Sequence, residues 1–264
     1  MILLWLLGLL VAAFVAACVF VYWRQESMLF YPEVIAPQER FDLPGVDELS
    51  IPVQGARLSA LHLRLPRPRC VVFYLHGNGG SLRSWFVDTD LYRQANCDLF
   101  MIDYRGYGKS TGRIGGEEQL HEDVLAAWQA MRAIVPDVRA VILGRSLGTG
   151  LAARLAAQVQ PAATVLVSPY WSMTALARLH YPLLPSALLR YPLETFRDIA
   201  DIRGPVLILH GDRDEIIPIS QGERLQGLSP RVLLVPIREA GHNDLQDFPA
   251  YRQAIAEFLA RLPH

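Results

Sequence analysis

Six short apolar runs decide what this chain can fold into: VVFYLHG (71–77), LFMIDYRG (99–106), AVILG (140–144), TVLVSP (164–169), VLILHGD (206–212) and VLLVPI (232–237). Each is continuous and rich in β-branched residues, as strands are when both faces are buried. Helical stretches lie between them. In EEQLHEDVLAAWQAMRAIV (117–135), Leu120, Val124, Trp128, Met131 and Val135 recur every three or four residues as one apolar stripe. Acidic residues crowd its first turn, where the helix dipole favours them. A last helix, roughly 247–262, repeats the idea with Phe248, Tyr251, Ile255, Phe258 and Leu259. Strands alternating with helices predict a mostly parallel central sheet covered on both faces. VDELSIPV (46–53) and RLSALHLRL (57–65), on either side of QGA, alternate in polarity and predict an antiparallel hairpin at a sheet edge.

The N-terminus obeys a different rule. Residues 2–23, ILLWLLGLLVAAFVAACVFVYW, carry no charge and no proline. At ~1.5 Å per residue such a helix spans a hydrocarbon core of ~30 Å. Tyr22 and Trp23, followed by Arg24, suit an interfacial anchor. A cleaved secretory signal would carry a positive n-region and a shorter apolar core. VAAC at 15–18 loosely resembles a lipobox, but no Lys or Arg precedes the run and the residues after Cys18 stay apolar. The expectation is an uncleaved single-pass anchor over 1–23 and one folded domain over 24–264. Arg24, the only nearby positive residue, tilts that domain towards the cytoplasm without fixing the side. Residues 24–45, punctuated by Pro32, Pro37 and Pro44, read as irregular.

Composition removes some partners. Of 264 residues, 25 are basic and 26 acidic, for a formal net charge of −1, and Lys109 is the sole lysine. A polyanion needs a concentrated positive field, so no nucleic acid is expected. Cys18, Cys70 and Cys97 cannot all pair within one chain and lack metal-ligand spacing. They read as free thiols, a Cys70–Cys97 bridge being the alternative, and no metal or cofactor is expected. The segment 170–196, rich in aromatics, Leu and Pro, interrupts the strand rhythm and suggests a small helical cap; the alternative is an ordinary crossover helix with a loop.

GRSLGTG (144–150) carries the chemistry. The apolar strand AVILG runs straight into Ser146, and a helix follows: the setting of a nucleophile elbow. Gly144 and Gly148 remove side chains where strand and helix approach, and the Leu147 N–H follows the serine as an oxyanion donor. A serine hydroxyl needs a base, and the base a carboxylate. Of seven histidines, His242 in EAGHNDL follows the last strand; His62, His76, His121, His180, His210 and His264 read as structural or solvated. For the acid, Asp214 in HGDRDEIIP clears its strand end, while Asp212 is better placed to brace the turn. HGNGGS (76–81) offers the second oxyanion donor at Asn78, with Gly79 next. No Walker lysine or GxGxxG follows it, so a phosphate loop is disfavoured.

With HGNGG (76–80), DYRGYGKSTG (103–112), GRSLGTG (144–150), LHGDRDEIIP (209–218) and AGHND (240–244) in this order, the chain resembles an alpha/beta-hydrolase over most of residues 60–264. Within that superfamily it is similar to membrane-anchored serine hydrolases of the depalmitoylase and peptidase-like kinds. The resemblance implies an alpha/beta-hydrolase domain over 24–264, a Ser146–Asp214–His242 triad without metal, and Asn78 and Leu147 as oxyanion donors. Tyr104 to Ser110 would shape the floor of the site. Arg145 occupies a position that varies in the family and assigns no substrate. The implied activity is hydrolysis of an ester or thioester with a lipid-like or small acyl group, through an acyl-enzyme. A serine peptidase acting on short peptides is the nearer alternative, and a non-catalytic binding protein the more distant one. Nothing in the sequence sets the oligomeric state.

Overall fold

The chain's structure, a computed structural model, describes residues 1–262, so His264 lies outside the described residues. Its central sheet has eight strands: β1 (Val46–Val53), β2 (Ala56–Leu63), β3 (Cys70–Leu75), β4 (Cys97–Ile102), β5 (Arg139–Arg145), β6 (Ala163–Val167), β7 (Val206–Gly211) and β8 (Val232–Ile237). They lie in the order β8-β7-β6-β5-β3-β4-β2-β1. Only β2 runs antiparallel to its neighbours, β1 and β4. The β1–β2 hairpin closes on Gln54 and Gly55, with Gly55 at φ +71 where a β-carbon would be strained.

Burial follows position in this order. β3, β4, β6 and β7 are buried along their whole length, whereas the edge strands β1 and β8 are only partly buried. Successive side chains of β3 point to opposite faces. Val71, Phe73 and Leu75 join one apolar core, which holds Trp128 and Met131 of α4 (Glu117–Ile134). Val72 and Tyr74 join the other, with Tyr251 and Ile255 of α9 (Pro249–Ala260). Six further helices cover the sheet: α5 (Gly148–Val159), α6 (Met173–His180), α7 (Thr195–Asp201) and α8 (Ser220–Gln226) follow β5 in turn, and two short ones, α2 (Leu82–Trp85) and α3 (Thr89–Gln94), separate β3 from β4. Chain order reverses about β3, so a cleft opens at the carboxyl ends of β3 and β5, where ligands bind in open α/β sheets.

Two features depart from the sequence reading. First, α1 (Ile2–Leu29) is long and apolar enough to cross a membrane, but it does not stop at residue 23. It continues one and a half turns through Gln25, Glu26 and Met28, because these residues have partners in the folded domain. Tyr31 and Pro32 then pair in parallel with Gly79 and Gly80. Second, Cys70 and Cys97 form a disulfide, and Cys18 alone is free. The two cysteines stand in direct register on the neighbouring strands β3 and β4, with Cα atoms 4.5 Å apart. The segment 170–196 contains α6 and a single turn of 3-10 helix at Ser186–Leu188, with irregular chain between.

Candidate active site

Ser146 leaves the end of β5 and precedes α5 by two residues, with φ at +50, the left-handed region that a sharp strand-to-helix turn demands. Its N–H is anchored to the Val167 carbonyl at 2.9 Å. Crowding explains the glycines around it. A β-carbon on Gly148 would lie 2.2 Å from the Leu75 carbonyl oxygen, and one on Gly144 would lie 2.5 Å from the Ala152 Cβ. The turn thus exists only with bare backbone at both positions.

Two loops from the same carboxyl end of the sheet meet this serine. His242, in the loop after β8, has Nε2 at 2.9 Å from Ser146 Oγ. Its Nδ1 lies 2.8 Å from Asp214 Oδ2, in the loop after β7. The carboxylate fixes the tautomer: Nδ1–H donates to Asp214, which leaves Nε2 free to accept from the serine hydroxyl. Asp214 Oδ1 accepts from the N–H groups of Ile216 and Ile217, at 3.0 and 2.7 Å. Burial acts to raise this carboxyl, but hydrogen bonding from the histidines and the Ile217 N–H outweighs it and holds the group well below the usual carboxylate range. Asp212 is exposed and accepts from the Glu239 N–H at 2.7 Å, bracing the turn.

The candidate oxyanion side is a peptide that is held from behind. The Gly77 carbonyl oxygen lies 2.7 Å from His76 Nδ1. In a trans peptide the next N–H, that of Asn78, points the opposite way. Asn78 and Leu147 line the same cavity as Ser146 and His242. Tyr104 and Tyr107 steady the loop: their hydroxyls donate to the carbonyls of His76 and Asn78 at 2.8 and 2.6 Å. Gly108 is required beneath them, since a β-carbon there would meet Asp103 Oδ2 at 1.8 Å.

Arg145 and His210 act on the site without a signal that sequence reasoning could use. The Arg145 guanidinium donates to the His242 carbonyl at 3.1 Å and to Gln246 Oε1 at 2.7 Å, and sits over the Trp85 ring. It thereby braces the loop that presents His242. His210 Nε2 lies 2.7 Å from the Ile217 carbonyl and 3.5 Å from Asp214 Oδ2, tying the acid loop to its strand. Of the other described histidines, His62 is buried against Asp98 and His121 faces Glu117, both away from the site, while His180 lines the cavity and bonds the Ile216 carbonyl.

Ser146 opens on a cavity of about 550 Å³ with a mainly apolar lining that includes Met173, Leu176 and Leu184 of the segment 170–196. No acidic residue lines it among the described residues. A second hollow of about 660 Å³, between residues 37–49 and Lys109, is lined by no serine, threonine, cysteine or histidine among the described residues. Among the described residues, no group of three or more His, Cys, Asp or Glu could hold a metal ion.

Comparison with known proteins places these features in company. The family described as serine aminopeptidase, S33, matches residues 66–194, which include Asn78 and Ser146. Alpha/beta hydrolase domain-containing protein 17B of Xenopus laevis is 33% identical over 219 residues, covering 79% of this chain and 73% of that protein. Its Homo sapiens counterpart is 32% identical over the same shares. Among solved structures, an esterase of Pyrococcus furiosus superposes with a TM-score of 0.70 at 20% identity, over 89% of this chain and 98% of that one. Est1E of Butyrivibrio proteoclasticus with bound ferulic acid gives 0.70 at 19%, over 81% and 98%. At such identities the structural likeness is one of fold.

Proposed function

The chain belongs to the alpha/beta-hydrolase superfamily, in its serine-hydrolase branch, and from that premise we propose that it cleaves carboxylic esters or thioesters through an acyl-enzyme on Ser146. The observation that carries this is the continuous chain Ser146 Oγ, His242, Asp214, with links of 2.9 and 2.8 Å, opening on an apolar cavity. His242 Nε2 takes the hydroxyl proton as Oγ attacks the acyl carbon. The tetrahedral oxyanion is received by the N–H groups of Asn78 and Leu147, each such donor being worth about 10²–10³ in rate. His242 returns the proton to the departing alcohol or thiol. A water molecule, deprotonated by the same imidazole, then releases the carboxylic acid and regenerates Ser146.

The cavity lining supports an acyl substrate over a peptide. An enzyme acting on a peptide's free N-terminus must hold an ammonium group, which calls for a carboxylate. The cavity lining offers none among the described residues; its charged member is Arg145. In this reading α1 is a membrane anchor, the hydrolase domain covers 24–264, and the segment 170–196 is the cap. A fluorophosphonate probe is expected to label Ser146, located by mass spectrometry, and Ser146→Ala to abolish both labelling and ester turnover. A folded protein that takes up no label would overturn the proposal.

A further inference from the structure

One wall of the cavity beside Ser146 is made by α1. Val21, Gln25, Met28 and Leu29 all line it. Their spacing, i, i+4, i+7 and i+8, places them on one helix face. From Val21 to Met28 the helix rises ~10 Å, so the wall begins beside Tyr22 and Trp23, the pair suited to a membrane interface, and ends beside the catalytic loops.

This wall is fixed to the domain. Gln25, 3% exposed, donates through Nε2 to the Leu188 carbonyl at 2.8 Å, and its Oε1 accepts from the Arg190 N–H at 2.7 Å. Glu26 pairs with the Arg190 guanidinium at 2.5 Å and accepts from the Tyr191 hydroxyl at 2.8 Å. Phe30 packs edge-on against the Tyr191 ring. Directly after the helix, the Tyr31 N–H donates to the Asn78 carbonyl at 2.9 Å. The same turn therefore holds the cap segment on one side and the candidate oxyanion loop on the other. Tyr181 and Ile216, which line the cavity, expose large apolar surfaces, as do Leu179 and Leu183 close to Tyr181 in the chain.

We propose that the last two turns of α1 are the acyl-chain subsite: the hydrocarbon tail of a membrane-resident ester lies along Val21, Met28 and Leu29, and Met28 sets the chain length accepted. The inference rests on the ester-hydrolase reading above. Such a tail travels from the bilayer to Ser146 along continuous apolar surface, without crossing water. Because α1 runs towards Tyr31 and the Asn78 loop, Val21 stands about two turns farther from the serine than Met28.

The test uses the full chain in detergent micelles and p-nitrophenyl esters from acetyl to palmitoyl. Met28→Trp is expected to lower the palmitoyl-to-acetyl ratio of kcat/KM at least ~tenfold, since each displaced methylene is worth about fourfold. Val21→Trp is expected to cut off only longer chains than Met28→Trp does. That graded pair is the result a length-measuring wall requires. An unchanged ratio in both variants, whether or not absolute rates fall, would overturn the inference and leave the ester-hydrolase reading standing. Failure of the wild-type protein to cleave any ester would overturn that reading and this inference with it.

Discussion

Both oxygens of the Asp214 carboxylate are committed. One carboxylate oxygen takes two backbone N–H groups and the other takes His242 Nδ1–H. An asparagine there could satisfy the backbone with its carbonyl, but its amide group would then face Nδ1. The imidazole would respond by carrying its proton on Nε2, where it can no longer accept from Ser146. Asp214→Asn is therefore expected to lower kcat by a factor on the order of 10⁴ with little change in KM. Steady-state kinetics on a variant with an unaltered circular dichroism spectrum checks this, and a loss smaller than about tenfold would mean another group orients the base. Asp214 was legible in HGDRDEIIP as the candidate acid, because a strand end followed by two aspartates narrows the choice to neighbours. In the sequence Asp214 clears the strand end; in the structure its carboxylate lies 2.8 Å from His242 Nδ1, while Asp212 accepts from the Glu239 N–H.

Single elements show where pattern reading succeeds and where it stops. The buried strands and α4 were legible almost to the residue, because their periodicity is local: 71–77 was expected against Cys70–Leu75, and 117–135 against Glu117–Ile134. The end of α1 was not. Gln25, Glu26 and Ser27 have the polarity of a chain leaving a membrane, and the partners that keep Gln25 and Glu26 helical stand more than 160 residues away. α7 supplies a different case, in which a helix carries a group at odds with its surroundings. Burial pushes the Asp198 carboxyl up to about 6; Arg154 and His121 act to lower it, while Glu117 and Asp201 act to raise it. A carboxyl whose folded value lies above its unfolded value of about 4 binds more protons folded than unfolded between those limits, so stability falls as pH rises from about 4 to 6. Asp198→Asn is expected to raise the thermal midpoint at pH 7 and to lose that gain near pH 4. Melting curves at the two pH values decide it: an equal gain at both would mean that burial of the charge is not the cause.

At the scale of the whole molecule, the Cys70–Cys97 cross-link bears on where the hydrolase domain resides. Disulfides persist in oxidising compartments, whereas the lone Arg24 beside the span argues weakly for the reducing side. One flanking charge is the lesser of the two signals. In protein taken from cells by acid quenching, which stops thiol exchange without capping thiols, and then denatured, a maleimide mass tag is expected to add at Cys18 alone, and at all three cysteines once the protein has been reduced. Tagging of Cys70 and Cys97 without reductant would place the domain in a reducing environment. The loop closed by the cross-link spans 27 residues, worth about 3.5 kcal/mol in the chain-entropy account.

The docked end of α1 has a consequence for how such a protein can be switched off. Many membrane-tethered enzymes survive being clipped from their stalk and continue to work in solution. In the anchor reading proposed above, the stalk is also masonry of the pocket: a cut between Trp23 and Gln25 would free a domain that keeps Ser146, Asp214 and His242 but has lost Val21 from its wall. Shedding would then be a form of inactivation towards long chains, and a released fragment would persist as an esterase of short ones.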